Sequence, residues 1–312
     1  MSLSQKFNSE FLSITFLFFI SLAIRLYLLF EFPHVVFLGE ADAPAYFSIA
    51  KGIAENWELL GTHFPPFYPF LIAIASIFTD DIEIAGRVTS SVMGALLVFP
   101  VYFIGKELYN KRVGYLSATA VIFFGDFIDY SLQPLTQTTY LTLMLSGVYL
   151  GIVLITRRSQ LLFFVLGLIC GALYLTRPEG FLFFVYISTI VLASALLDCK
   201  TALKERLKAI SLLSIGFLIL AMPYINYLHN QTGNWSISGK AAAALIGIDG
   251  MAKLLPSGET VGSSSRGQIG IFDYYSNTAD FFAAYWGNFI QFAKLLPERF
   301  SLIYLIIIYF TS

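Results

Sequence analysis

Apolar runs long enough to cross the roughly 30 Å of bilayer hydrocarbon, about 20 residues of helix, recur along most of this 312-residue chain. They predict membrane spans near 11 to 30, 82 to 105, 113 to 127, 138 to 156, 160 to 176, 180 to 197, 208 to 228 and 299 to 311. The third is short. The last stops at Ser312 without a polar tail, so the chain reads as a piece of something longer. The first run exceeds the roughly 7 to 15 apolar residues of a cleaved leader and is followed by no small-residue cleavage site, which makes it an anchor.

The polar segments between the runs differ in charge. Lys106, Lys111 and Arg112 follow the second run, Arg157 and Arg158 the fourth, and Lys200, Lys204, Arg206 and Lys208 the sixth. Short basic loops stay in the cytoplasm, so the segments 31 to 81, 126 to 137, 176 to 180 and 229 to 298 face outward and the amino terminus lies inside. The expectation is a multi-pass protein of the cell membrane. No repeat or low-complexity segment divides it, and residues 1 to 312 read as a single domain with two large outer loops.

The first outer loop has a helical pattern of its own. Asp42 precedes Pro44, which suits a first helical turn, and Tyr46, Ile49, Ala50, Ile53 and Trp57 recur at helical spacing. A second helix starts at the prolines of His63-Phe64-Pro65-Pro66-Phe67-Tyr68-Pro69. Both read as short interfacial helices, apolar face down, roofing a cavity that a lipid headgroup can enter from the side. The fold class is therefore an all-α integral membrane bundle.

Composition agrees: 57% of residues are hydrophobic, 12% charged, and 31 are Phe. The net charge of −1 identifies no partner, and the absence of a Lys/Arg cluster outside short loops argues against nucleic acid. Cys170 and Cys199 are too few and too badly placed for a disulfide framework and read as packing residues.

Candidate chemistry collects on the outer side. Asp42 reads either as a helix N-cap, worth about 0.5 to 2 kcal/mol, or as a general base that takes the proton of an acceptor hydroxyl. Thr176-Arg177-Pro178-Glu179-Gly180 packs a guanidinium and a carboxylate into one tight turn. Arg177 there either pairs with Glu179 or holds a phosphate with two hydrogen bonds. His63 and Arg87 are further candidates for an electropositive lining. Arg25, inside the first span, is expected to reach outward or to meet a carboxylate. Asp126 and Asp129 either shape an acceptor site or mark the end of a short helix. Glu40 and Asp42 together offer hard oxygen ligands, so a divalent cation is the lesser alternative to a site with no cofactor.

The order of these pieces carries a resemblance. Asp42, Tyr46 and Ala50, then His63-x-Pro65-Pro66-Phe67-Tyr68-Pro69, then Arg87 heading a span that ends Gly105-Lys106-Glu107-Leu108-Tyr109, then Leu175-Thr176-Arg177-Pro178-Glu179-Gly180 resemble a GT-C glycosyltransferase. The likeness, over residues 11 to 200, is to the protein O-mannosyltransferase and aminoarabinose transferase superfamily. It implies an inverting enzyme that moves a sugar from a polyprenyl-phosphate carrier to an extracytoplasmic acceptor. The family's catalytic acid maps onto Asp42, with Arg177, His63 and Arg87 toward the donor phosphate and Tyr46 and Tyr68 in supporting places. Two positions depart from the family pattern. A second acid often follows the first, where this chain has Ala43, with Glu40 two residues before Asp42; another often opens the fourth span, where this chain has Gln137.

Asn230-Gln231-Thr232 and Asn234-Trp235-Ser236 are glycosylation triplets in the last outer loop. Phe272, Tyr274, Tyr275, Phe281, Tyr285 and Trp286 read as an interfacial aromatic belt before they read as sugar platforms. A non-catalytic subunit that binds polyprenyl phosphate is the alternative function. A transporter fits less well, because the charges crowd one surface and leave the span centres apolar.

Overall fold

A computed structural model of the chain describes residues 3–31, 42–157, 159–197, 203–233, 235–239, and Ala283, Trp286, Gly287 and Ile290. Glu40, Cys199, Lys200, Arg158, Asn234, the span expected at 299 to 311 and all the late aromatics except Trp286 lie outside the described residues. Contacts divide the chain into two compact units, 1–238 and 239–312. Nearly all that follows concerns the first.

The regular structure of that unit's described residues is helical: α1 (Leu3–Glu31), α2 (Ala43–Asn56), α3 (Phe67–Ala75) with a 3-10 turn at Ser76–Phe78, α4 (Ile82–Leu96), α5 (Val98–Leu108), α6 (Lys111–Phe123), α7 (Gly125–Leu132), α8 (Gln137–Arg157), α9 (Gln160–Thr176), α10 (Gly180–Leu197) and α11 (Leu203–Thr232). Among the described residues four stretches are long and apolar enough to cross a membrane: Ser9–Glu31, Ile82–Leu108, Gln137–Leu154 and Lys204–Thr232. Within the described residues, helices stand where spans were expected and at both helical segments of the first outer loop, with three corrections.

The second span kinks at Leu97, whose backbone stays helical (φ −57°, ψ −25°), between α4 and α5. Pro100 lacks the N–H that would bond the carbonyl of Leu96, and its ring crowds that carbonyl. The third span ends at Phe123 rather than 127, because Phe124 is extended and Gly125-Asp126 opens a new helix with an acid in its first turn. Its 13 residues rise only roughly 20 Å, so α6 does not cross alone. The last correction concerns α11, which runs to Thr232, so the Asn230 triplet lies in its final turn rather than in a loop.

The two ends of the bundle are marked by different chemistry. At one end Glu10 of α1 pairs with Lys106 of α5 and Lys111 of α6 and accepts the Tyr102 hydroxyl at 3.0 Å. At the other, Arg87 of α4 donates to Leu29 O of α1 and Leu132 O of α7, each at 3.1 Å. The pairs α4–α5 and α6–α7 thus each run the length of α1. Basic residues mark the first end and the loops that carry candidate chemistry mark the second.

Arg25 departs from its expectation. It is fully buried and meets no carboxylate: its guanidinium donates to Ser21 Oγ at 2.6 Å and Ser131 Oγ at 3.0 Å, with Ser21 O and Val121 O farther off. Gly94 of α4 makes the room, since a Cβ there would stand 2.0 Å from Ser131 Oγ.

Three apolar clusters fill the unit. α1, α5 and α6 share Ile14, Val98, Tyr102, Ala118 and Ile122. α9, α10 and α11 pack around Leu166, Tyr174, Ile187, Leu213 and Phe217. The interfacial helices α2 and α3 close over α4 through Tyr46, Ile49, Tyr68, Ile72 and Ala85. α9 and α11 approach closely through small residues, as membrane helices do. A Cβ on Gly167 would sit 2.1 Å from Leu213 O, whereas one on Gly151 of α8 would meet only Ile187 Cδ1 at 3.9 Å. Gly167→Ala is therefore expected to cost about 1 to 3 kcal/mol by forcing α9 from α11, and Gly151→Ala almost nothing. Thermal unfolding in detergent, followed by size-exclusion, measures the contrast; equal stability of the two variants would contradict the close packing.

Candidate active site

The candidate site begins at the first turn of α2. Asp42 is the residue before that helix, yet its side chain makes no capping bond. Its backbone (φ −85°, ψ −27°) is already helical, whereas a capping residue is typically extended. Two other helices show the contrast. The extended Asp81 accepts Glu83 N at 2.9 Å and Ile84 N at 3.3 Å, and the extended Asn110 accepts Arg112 N and Val113 N at 2.9 and 3.1 Å. The carboxylate of Asp42 is thus turned away from the helix N–H groups and is only partly buried.

Four residues on, and so on the same face of α2, lies Tyr46. Its ring is buried and packs edge-on against Phe64 (4.8 Å) and Tyr68 (5.3 Å between centroids). Three groups from three parts of the chain act on its hydroxyl. Burial, and next the Asp42 carboxylate, push its proton affinity well above the ordinary tyrosine value, while the Thr136 hydroxyl and the Arg177 charge pull the other way. A neutral phenol beside a carboxylate has its proton to give, and Thr136 supplies one in return. Asp42, Tyr46, Thr136 and Arg177 therefore share one electrostatic neighbourhood.

Arg177 follows α9 in extended conformation (φ −148°), in the turn that Gly180 closes by donating to Arg177 O at 2.9 Å. A Cβ on Gly180 would lie 2.4 Å from Leu173 C, so only glycine lets α10 start so close to α9. The guanidinium stands 5.8 Å from the Tyr140 ring centroid, and Glu179 Oε2 is 3.8 Å from Arg177 Nε. Both partners of that ion pair are exposed enough to be screened, so it holds Arg177 weakly. The guanidinium retains donors for an anion.

The remaining expected residues are distributed as follows. Tyr68 is fully buried beneath Tyr46 and bonds Ser90 Oγ (2.8 Å) and Gly86 O (3.3 Å), so it forms the floor. His63 is exposed and stacks edge-on with Phe64 at 4.7 Å, one ring removed from Tyr46. Arg87 is buried and spends its two hydrogen bonds named above on helix-terminal carbonyls, which makes it a clamp. Asp126 and Asp129 are exposed on α7, and Glu179 is exposed beside Arg177. Gln137 opens α8, directly after Thr136. Among the described residues no three His, Cys, Asp or Glu converge as metal ligands.

Two residues of the neighbourhood, Thr136 and Tyr140, were not singled out from the sequence. Their signal was the polar run Thr136-Gln137-Thr138-Thr139-Tyr140 at the head of an apolar span, with Thr136 and Tyr140 one helical turn apart. The loop before α3 is fixed from the side by α11, whose Tyr224 and Tyr227 hydroxyls donate to Thr62 O (3.1 Å) and Leu59 O (2.7 Å).

Comparison with known proteins bears on the family and the fold. A family model described as dolichyl-phosphate-mannose-protein mannosyltransferase matches residues 63–227, just over half of the chain, which includes Thr136, Tyr140 and Arg177 but begins after Asp42 and Tyr46. The crystal structure of the Archaeoglobus fulgidus oligosaccharyltransferase in complex with zinc and sulfate superposes with a TM-score of 0.54 at 19% identity, covering 72% of this chain. That likeness speaks for the fold, and the chain spans 32% of that protein's length. No curated protein matches the sequence. With its helical bundle, its interfacial α2 and α3 and more than half its length matched, the chain belongs to the dolichyl-phosphate-mannose-protein mannosyltransferase family of GT-C membrane proteins.

Proposed function

We propose that the chain transfers a glycosyl group from a polyprenyl-phosphate carrier to an acceptor hydroxyl, with inversion, on the outer face of the membrane. The observation that carries this reading is the meeting of Asp42 and Arg177 around the Tyr46 hydroxyl, at the end of the bundle opposite the Glu10–Lys106–Lys111 cluster. The family's description supplies the donor class, a sugar on a lipid phosphate.

In this reading the acceptor oxygen attacks the anomeric carbon while its proton passes to the Asp42 carboxylate. The bond from the anomeric carbon to the phosphate oxygen breaks, and its electron pair leaves with the lipid phosphate. One displacement inverts the centre. Arg177 offers that phosphate two donors and a full charge beside a largely apolar bundle, where such stabilisation is strongest. Tyr46 orients Asp42 from one helical turn away, and Tyr68 and Arg87 keep α2, α3 and α4 in place.

Asp42→Asn is expected to lower transfer by about 10² to 10⁴ while carrier binding survives. Arg177→Ala is expected to weaken binding of the carrier itself by tenfold or more, about 1.4 kcal/mol. Transfer of radiolabelled sugar from a panel of polyprenyl-phosphate sugars, beside a direct binding assay, reads both. Carrier binding that depends on Arg177 with no turnover from any donor would sink the catalytic reading and leave a binding subunit.

Tyr46→Phe keeps the ring contacts with Phe64 and Tyr68 and removes only the hydroxyl. We expect kcat to fall about tenfold, the scale of a lost orienting bond, with KM and melting temperature unchanged. A rise in KM with kcat intact would place the hydroxyl in substrate binding instead.

A further inference from the structure

The first turn of α8 contains buried polar atoms that no described residue satisfies. Gln137 Oε1, Thr138 Oγ1 and Thr139 Oγ1 are all buried and have no hydrogen-bond partner among the described residues. Thr138 is 4% and Thr139 0% exposed. A buried polar group without a partner is costly, and native structures seldom keep three in a row without a use. A helical threonine ordinarily bonds the carbonyl four residues back. For Thr139 that is Leu135 O, which receives the Ser90 hydroxyl instead, at 3.3 Å. The neighbouring Thr142 shows the ordinary outcome on another face, where its hydroxyl donates to Met93 O of α4 at 2.8 Å.

The three orphans do not face one way. Thr136 looks toward Tyr46 and Tyr140 toward Arg177, which fixes the face of α8 that lines the candidate site. At 3.6 residues per turn, Gln137 and Thr139 flank that face, about 80° to either side of its midline, whereas Thr138 points the way Thr142 does, toward α4. Helical side chains also lean toward the amino end of their helix, so the Thr139 hydroxyl is tilted toward the site rather than down the bundle.

The chemistry of these two atoms selects their ligand. Gln137 Oε1 can only accept, so a phosphate diester, itself only an acceptor, has nothing to give it. Neither side chain carries the charge that a cation would seek. A hydroxyl group both donates and accepts, and it satisfies an amide oxygen and a threonine hydroxyl alike. We propose that the first turn of α8 is a sugar subsite in which Gln137 Oε1 and Thr139 Oγ1 bind hydroxyl groups of a glycosyl unit beside Arg177. This rests on the transferase reading above and adds where the sugar, as distinct from the phosphate, is held. The sugar is either the donor's or that of a glycan acceptor.

The test uses the full chain in detergent and three variants, Gln137→Leu, Thr139→Val and Thr138→Val. Binding is measured to polyprenyl-phosphate mannose and to the same polyprenyl phosphate without sugar, alongside acceptor KM and thermal unfolding. A donor subsite predicts that Gln137→Leu and Thr139→Val each lose about tenfold in affinity for the mannosylated carrier and nothing for the bare one. An acceptor subsite predicts unchanged carrier binding and a comparable rise in acceptor KM. In either case Thr139→Val should melt higher than the parent when no ligand is bound, because valine removes an unsatisfied group without changing its shape. Thr138→Val should also melt higher but bind and turn over normally. Variants that bind both carriers and the acceptor as the parent does would overturn the subsite alone. A parent that binds neither carrier would overturn the transferase reading and the subsite with it.

Discussion

The fold turns on a guanidinium that has to be satisfied inside a membrane span. Arg25 is fully buried, and an uncompensated charge at such a depth costs several kcal/mol. No carboxylate among the described residues answers it. Its partners are the Ser21 and Ser131 hydroxyls and the Ser21 and Val121 carbonyls, which binds α1, α6 and α7 into one unit and draws α4 against them through Gly94. Arg87 repeats the device one level outward, tying Leu29 O to Leu132 O. Once the end of α7 is set in this way, the turn through Pro134 delivers Thr136 to the head of α8.

The candidate site inherits its geometry from that frame. Asp42 and Tyr46 need only one helical turn to share a face. Thr136 must come from the α7–α8 junction and Arg177 from the turn after α9, and these meet only if α4, α8 and α9 keep their register. The aromatic stack of Phe64, Tyr46 and Tyr68 joins the interfacial helices to α4 through the Tyr68–Ser90 hydrogen bond. The arginines differ in their surroundings: the hydrogen bonds described for Arg25 and Arg87 end on neutral oxygens, while Arg177 of the α9–α10 turn lies beside the exposed Glu179 and the Tyr140 ring.

Much of this was legible in the chain and the rest was not, for physical reasons. Spans announce themselves because each must bury its own backbone in hydrocarbon, so the helices lie close to where hydropathy puts them. The place of Asp42 was ambiguous because a capping carboxylate and one turned elsewhere share one sequence signature; backbone angles at a single residue show only that it does not cap α2. The partners of Arg25 were illegible because Ser131 lies 106 residues away. The short helix α7 was read as loop because eight residues carry too little periodicity. Thr136 and Tyr140 looked like the polar boundary of a span, and nothing local distinguishes such a boundary from a lining.

The separation of Arg25 from Ser131 also bears on how the molecule is made. A chain emerges from its amino end, so α1 reaches the lipid while the hydroxyl that will satisfy its arginine is still unsynthesised. Over that interval the side chain has Ser21 on its own helix and, by snorkelling, the headgroup layer. The first helix accordingly cannot settle at its final depth until α7 arrives. Its insertion is provisional, and the last step in placing it is the docking of a helix that completes the second crossing after it.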